Sequence, residues 1–136
     1  MDARAYGEVI HGYSRAEAIQ DGVLVTASEE LLVNARITVP VAYTASVFAD
    51  CIAWNEEDNT RRGLIQDQTG REWDVLWMLR TAMRRAGDQA GLTFSLFRFP
   101  RNVDVSEPTE VTLHVVIGPG DEGEPVITVM SSPDEI

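Results

Sequence analysis

A change of hydrophobic period decides the fold; it lies between two adjacent stretches, Arg71-Glu-Trp-Asp-Val-Leu-Trp-Met-Leu-Arg-Thr-Ala-Met-Arg-Arg-Ala86 and Leu92-Thr-Phe-Ser-Leu-Phe-Arg-Phe99. In the first stretch apolar side chains recur every three or four residues, which predicts one long amphipathic helix. In the second stretch apolar and polar residues alternate, which predicts a strand with Leu92, Phe94 and Leu96 on one face. The helix is therefore expected to pack across a sheet that begins directly after it.

Two further strands are predicted downstream. Residues Glu110–Ile117 and Pro125–Met130 are rich in β-branched side chains, and the Gly- and Pro-containing stretch 118–123 between them is typical of a turn. We therefore expect a C-terminal antiparallel three-stranded meander with the long amphipathic helix packed on it.

Shorter helices are predicted upstream. Ser14 and Glu17 fit a capping box, and Ser28 fits the N-cap of a second short helix. A third helix, Ala45–Trp54, carries apolar side chains at helical spacing, and the polar run Asn55–Asn59 is expected to end it as a loop. The overall expectation is an α+β fold with helices at the N-terminus and the meander at the C-terminus.

Length and composition favour one folded domain over residues 1–136, with a frayed acidic tail at 131–136. The chain has 136 residues, of which 44% are hydrophobic, as in an ordinary globular protein. No apolar run approaches the roughly 18 residues of a membrane span, and the N-terminus lacks the apolar core of a secretory signal. A cytoplasmic location is expected. The single Cys51 excludes an internal disulfide within this sequence.

Charge is concentrated at one end of the chain. Residues 102–136 carry eight carboxylates and no basic side chain, whereas the remaining fourteen acids are nearly balanced by eleven arginines, for a net charge of −11. A surface of this sign repels DNA and membranes and attracts basic proteins. We therefore expect a protein partner with a basic surface, and neither direct nucleic-acid binding nor membrane binding. The predicted partner-binding residues are Asp104, Glu107, Glu110, Asp121, Glu122 and Glu124.

Signals for chemistry are weak. Glu8, His11 and His114 could form a two-histidine, one-carboxylate metal site, but a solvated strand face accounts better for His114. Cys51 could be a nucleophile, but it falls on the apolar stripe of a helix, where cysteine behaves as a small core residue. No metal, cofactor or catalytic residue is predicted. The arginines Arg80, Arg84 and Arg85 could bind an anion or the protein's own acidic tail.

Five segments together resemble a family of small uncharacterised bacterial, plasmid and phage proteins, domain of unknown function 6573. They are Glu8–Val25, Pro40–Ala42, Asp50–Trp54, Asp74–Met78 and Ile117–Thr128. The resemblance implies an accessory gene of a mobile genetic element and no particular activity. In that setting the acidic surface suggests an anti-defence role, in which the protein mimics nucleic-acid charge and inhibits a host or element-encoded protein of CRISPR or restriction machinery.

Two alternatives stay open. The first is a small enzyme or ligand binder with a pocket between the helices and the sheet, lined by His11, Tyr13, Arg15 and Asp74, which come from the segments that carry the resemblance. This alternative requires the four side chains to converge on one cavity. The second is a homo-oligomeric structural protein with the C-terminal hairpin as its interface.

Overall fold

The computed structural model describes residues 13–135, which are built around a five-stranded mixed sheet. The helices are α1 (Arg15–Gln20), α2 (Glu29–Asn34), α3 (Ala45–Val47), which continues as a π-helix (Phe48–Ile52), α4 (Glu56–Arg62) and α5 (Gln68–Ala86). The strands are β1 (Leu24–Thr26), β2 (Val41–Thr44), β3 (Gly91–Arg98), β4 (Thr109–Pro119) and β5 (Pro125–Met130). Their order across the sheet is β1-β2-β5-β4-β3.

The prediction of a three-stranded antiparallel meander was wrong in strand number and in orientation. Strands β3, β4 and β5 do pair antiparallel, as expected. However, β2 adds to the far side of β5 in parallel, with Val41 opposite Ile127, and β1 pairs antiparallel with β2. Strands of three and four residues show too little alternation to be recognised, and a parallel partner distant in sequence leaves no local signal.

The main core lies between α5 and one face of the sheet. On the helix, Val75, Leu76 and Leu79 are fully buried. They share a cluster with Tyr43 and Leu113 from the sheet. Burying one such leucine contributes about 1.5–3 kcal/mol to folding, so the burial of these side chains is a large contribution to stability. No helix in the described part of the chain is long and apolar enough to cross a membrane.

The opposite face of the sheet is only partly covered. Helix α1 packs over β1 and β2, where Ala18, Leu24 and Ala42 form a second small cluster. Over β3 and β4 no helix among residues 13–135 covers this face, and Phe97 and Val116 are 66% and 45% exposed. A phenylalanine with two thirds of its surface in water marks this open face as unusual.

Several local boundaries differ from the predicted ones. The third helix changes to π-helical geometry at Phe48 and ends at Ile52 rather than Trp54. The stretch predicted as a polar loop begins helix α4, because Asn55 and Asp58 form a reciprocal capping box. Helix α5 begins at Gln68, three residues earlier than expected, because the Asp67 side chain accepts a hydrogen bond from the first turn.

The acidic C-terminal segment, predicted to be frayed, is anchored at Glu135. The Glu135 carboxylate accepts hydrogen bonds from the Thr44 hydroxyl at 2.9 Å and the Ser131 N–H at 2.7 Å. It also accepts from the Ser46 hydroxyl. Burial opposes ionisation of Glu135, but the hydrogen bonds outweigh it and lower the pKa. The tail is thereby tied to the start of α3.

Candidate binding surfaces

The six acids predicted to bind a partner form two groups, one at each end of β4. Asp121, Glu122 and Glu124 lie in the turn between β4 and β5, whereas Asp104 and Glu107 precede β4 and Glu110 is its second residue. A strand of eleven residues rising about 3.3 Å per residue places the groups roughly 30 Å apart. The acids therefore form two small groups rather than one continuous patch.

In the turn group, two of the three carboxylates are used within the fold. Asp121 accepts hydrogen bonds from the backbone N–H groups of Arg15 at 2.8 Å and Ala16 at 3.0 Å. These bonds hold the Asp121 pKa below its usual range. Glu124 accepts from the Glu122 N–H at 2.9 Å and so stiffens the turn. Within residues 13–135, only the Glu122 side chain of this group is left without a hydrogen bond.

In the group at the start of β4, Asp104 is the acid that forms ion pairs within residues 13–135. Its carboxylate contacts Arg61 at 3.0 Å and the Nε of Arg62 at 3.3 Å. Glu107 and Glu110 are exposed and form no ion pair with any other described residue. Glu110 lies opposite the exposed Phe97 in the β3–β4 register. This end of the sheet therefore combines two carboxylates that are available to a partner with one aromatic side chain.

The alternative pocket is not assembled by the described residues. His11 lies outside them. The Tyr13 hydroxyl donates to Asp21 at 3.0 Å, and Arg15 donates to the Thr128 hydroxyl at 2.7 Å. Thr128 points to the face covered by α1, since its neighbours in β5 belong to the core on the other face. Asp74 lies on α5, on the opposite side of the sheet from Arg15, so these side chains do not converge.

Asp74 instead borders a cavity at the N-terminal end of α5. The cavity has a volume of about 500 Å³ and is lined by Glu56, Asp67 and Asp74 together with Arg71 and Trp73. Burial raises the pKa of Asp74, while the nearby guanidinium of Arg71 acts in the opposite direction. A cleft of this size with mixed charge can hold a small polar ligand.

The other residues considered for chemistry are not arranged for it. Glu8 and His11 lie outside the described residues, and His114 is half-buried on the sheet, opposite Thr93. Among residues 13–135, no group of three or more His, Cys, Asp or Glu side chains is placed to hold a metal ion. Cys51 is buried, and burial together with the Asp50 carboxylate raises the pKa of its thiol to about 12.

Arg71 is the polar centre that the sequence did not indicate. Its buried guanidinium donates to the carbonyl oxygens of Asp50 at 2.8 Å, Ile52 at 3.2 Å and Phe99 at 2.8 Å. A fourth bond, of 2.9 Å, reaches the Gln66 side chain, and the guanidinium lies 4.5 Å from the centre of the Trp54 ring. Burial lowers the Arg71 pKa to about 10. This side chain joins the π-helix, α5 and the end of β3, and four of its five N–H donors are hydrogen-bonded.

Taken together, the fold and surface define an acidic α+β protein in which two groups of acids lie at the two ends of one long strand. The chain belongs to a family of unknown function, DUF6573, whose model matches residues 3–135. This match confirms the resemblance found in the sequence and adds no activity to it. No match was found among curated proteins or among solved structures.

Proposed function

We propose that this protein is a binding module that acts on a protein partner with a basic surface. The observation that carries the proposal is the division among the six predicted acids. Asp104, Asp121 and Glu124 serve the fold, whereas Glu107, Glu110 and Glu122 are exposed and unpaired within residues 13–135. An exposed carboxylate that has no ion pair within the protein stays hydrated. It can pair with a cation of a binding partner without first breaking an internal ion pair.

The end of the sheet near Glu110 has the features of a contact point. Phe97 is 66% exposed and lies directly opposite Glu110. Aromatic side chains, phenylalanine included, are enriched in the cores of protein interfaces, whereas the rims are polar. The net charge of −11 would increase the rate of encounter with a basic partner at low salt. We infer that Phe97 contributes apolar contact area, and that the carboxylates orient the partner and increase the association rate.

A finer proposal concerns the kind of partner. We infer a nucleic-acid-binding protein, from the host or a mobile element, whose phosphate-binding cleft this protein occupies as an anti-CRISPR or antirestriction inhibitor. The spacing of the two acidic groups supports this inference, because roughly 30 Å along β4 is close to one turn of duplex DNA, about 34 Å. Surfaces dense in lysine and arginine are typical of proteins that bind phosphate backbones.

The test compares two variants with equal charge. In the first, Glu107, Glu110 and Glu122 are changed to glutamine; in the control, Glu29, Glu30 and Glu57, in the first turns of other helices, are changed to glutamine. The tagged full chain and both variants are used to capture proteins from nuclease-treated host lysate, and the captured proteins are identified by mass spectrometry. We expect one stoichiometric partner with the wild type and the control, and its loss with the first variant.

The same experiment distinguishes the proposal of an acidic binding surface from the finer proposal of charge mimicry. Addition of duplex DNA should displace a partner held through its phosphate-binding cleft. If duplex DNA displaces the partner, and the first variant fails to capture that partner, both proposals are supported. A partner captured equally by both variants refutes the acidic surface, and a partner lost in the first variant but insensitive to DNA refutes only the charge-mimicry proposal. Thermal melting of the first variant should match the wild type within about 0.5 kcal/mol, since these are surface substitutions.

A second candidate function is small-ligand binding at the cavity next to Asp74. It is favoured by the cavity volume of about 500 Å³ and by the three carboxylates that line the cavity together with Arg71. The excess of negative charge suits a small cationic ligand. Thermal-shift screening of amines against the wild type and Asp74→Asn tests it. A stabilising amine that loses its effect in the variant would support this function, and a screen without any such amine would reject it.

A further inference from the structure

Three arginines line one cavity beside the C-terminal half of α5. The cavity has a volume of about 380 Å³. Arg80 and Arg84 come from α5, and Arg36 comes from the loop after α2. Apolar side chains complete the lining, among them Ile37, Val39 and Met83, and no acidic residue contributes to it. In a chain with a net charge of −11, a concave surface with three cations and no anion is a local reversal of charge.

None of the three guanidinium groups is paired with a carboxylate within residues 13–135. Arg80 lies over the Trp77 ring, 5.0 Å from its centre, which holds the side chain in place without neutralising it. Arg61, Arg62, Arg98 and Arg101, by contrast, all contact aspartates. Like charges around one cavity repel each other, and an anion bound between them removes this repulsion. The charge that is missing from the cavity is therefore negative.

The backbone at Arg36 gives an independent indication. Helix α2 ends in a Schellman motif, in which the Arg36 N–H donates to Val33 O at 3.0 Å and the Ile37 N–H donates to Leu32 O at 2.9 Å. Arg36 has a φ of 60°, the left-handed conformation that glycine adopts without strain. An arginine there is disfavoured by roughly 1–2 kcal/mol. Glycine would relieve this strain, so the turn itself does not call for an arginine, and the side chain's position at the cavity is not explained by the backbone.

The cavity opens beside a second, more apolar groove. This groove has a volume of about 720 Å³ and shares Arg36, Ile37 and Val39 with the first cavity. Its lining adds Leu32 and Val33, and Val33 is 73% exposed; its one acid, Glu29, comes from the first turn of α2. A ligand that lies across both would place a negative group among the arginines and an apolar group along α2. The two surfaces together are thus complementary to an anion with an apolar body.

We propose that Arg36, Arg80 and Arg84 form a binding site for a small anionic amphiphile, a carboxylate or phosphate attached to an alkyl chain. The arginines hold the head group through charge-assisted hydrogen bonds. The alkyl chain lies against Val33 and Leu32. This site is separate from the acidic groups along β4 and does not depend on the proposed partner.

The test is isothermal titration calorimetry of the full chain with four probes: octyl phosphate, octanoate, octanol and inorganic phosphate. We expect one-to-one binding of octyl phosphate or octanoate, with octanol and inorganic phosphate at least tenfold weaker. The stronger of the two acids identifies the head group. Removal of one arginine contact should weaken binding about tenfold, equivalent to about 1.4 kcal/mol. Added salt should weaken it further.

Three variants make the experiment decisive. The double variant Arg80→Gln, Arg84→Gln should weaken binding about a hundredfold. Arg36→Gly should weaken it about tenfold and at the same time raise the melting temperature, because glycine relieves the left-handed strain. Arg85→Gln is the control, since Arg85 is on the same helix but lines a different cavity, and it should bind as the wild type does.

The proposal is overturned by any of four results. The first is that the wild type binds neither octyl phosphate nor octanoate at millimolar concentration, and the second is that it binds octanol as tightly as octyl phosphate. The third is that Arg85→Gln weakens binding as much as the double variant does. The fourth is that Arg36→Gly binds with the affinity of the wild type. The last result is informative even if the double variant is destabilised, because Arg36 is exposed and its replacement by glycine removes no buried contact.

Discussion

Replacement of Arg71 by lysine should lower the stability of the fold markedly although it keeps the positive charge. The Arg71 guanidinium makes four hydrogen bonds, to three backbone carbonyls and to Gln66, and lies over Trp54. A lysine ammonium has three donors on one nitrogen and no planar surface. It therefore cannot reach all four acceptors from one position, and it cannot reproduce the stacking geometry on the indole.

The magnitude follows from these two losses. At least one buried acceptor is left without a donor, which costs about 1–3 kcal/mol. Loss of the guanidinium–indole contact adds about 0.5–2 kcal/mol. We expect a total of about 3 kcal/mol, a large part of the 5–15 kcal/mol by which domains are normally stable. For a domain of this size, such a loss lowers the melting temperature by roughly 10 °C.

The assay is urea and thermal unfolding, followed by circular dichroism and by tryptophan fluorescence. Arg85→Lys provides the matched control, because Arg85 is exposed on the same helix and makes no hydrogen bond through its side chain within residues 13–135. The control should unfold within about 0.5 kcal/mol of the wild type. An Arg71→Lys variant as stable as the control would refute the conclusion that the four bonds of this guanidinium hold the π-helix, α5 and β3 together.

Three further predictions concern other buried or bonded groups. Tyr43→Phe removes a hydroxyl that donates to the Glu72 carboxylate at 2.8 Å in the core; it should lower the free energy of unfolding by about 1.5–3 kcal/mol in urea titrations, and an unchanged midpoint would contradict the bond. Cys51, with a thiol pKa of about 12, should react with Ellman's reagent at pH 8 only as fast as the protein unfolds, and prompt labelling of the native protein would show that the thiol is accessible. Asp121 has a pKa lowered below its ordinary value of 3.8 by hydrogen bonds from the start of α1. Its stabilising contribution is therefore complete above pH 3.8 and is lost as the pH falls through the folded-state value. Melting curves from pH 7 to pH 2 should show a smaller acid-induced loss in Asp121→Asn than in the wild type, and identical losses would contradict this role.

Local sequence patterns predicted the elements that depend on neighbours in the chain. The capping box of Ser14 and Glu17 is confirmed. Phe94 and Leu96 are buried in the main core with Leu92 packed against it, as the alternation indicated. The hairpin of β4 and β5 is also confirmed. These features are set by periodicity, caps and turn residues, which act over a few positions and can be read directly.

The features that were missed depend on contacts between distant segments. The pairing of β2 with β5 joins Val41 to Ile127, and nothing near either residue indicates the other. The π-helix also depends on a distant contact, because the carbonyl groups of its Asp50 and Ile52 accept hydrogen bonds from Arg71. Tertiary hydrogen bonds of this kind override the α-helical preference of the local sequence.

The same limit applied to the candidate sites. Composition identified the acidic C-terminal region, but it could not show that Asp121 bonds to the start of α1, about a hundred residues earlier in the chain. Of the arginines considered together in the sequence, Arg80 and Arg84 share a cavity while Arg85 faces another. Arg36 joins the first two only through the fold. Its unusual φ has no signature in the sequence, where arginine after a helix is ordinary.

The position of β5 has a consequence for how the protein is made. This strand lies between β2 and β4 in the middle of the sheet, yet it is the last of the five in the chain. During translation, β1 and β2 emerge more than eighty residues before the strand that joins them to the rest of the sheet. Until Met130 has left the ribosome, the hydrogen-bonding edges of β2 and β4 lack the strand that joins them. Folding of the sheet is therefore expected to await the synthesis of β5, and ribosome-bound chains that stop before β5 should be protease-sensitive and prone to aggregate.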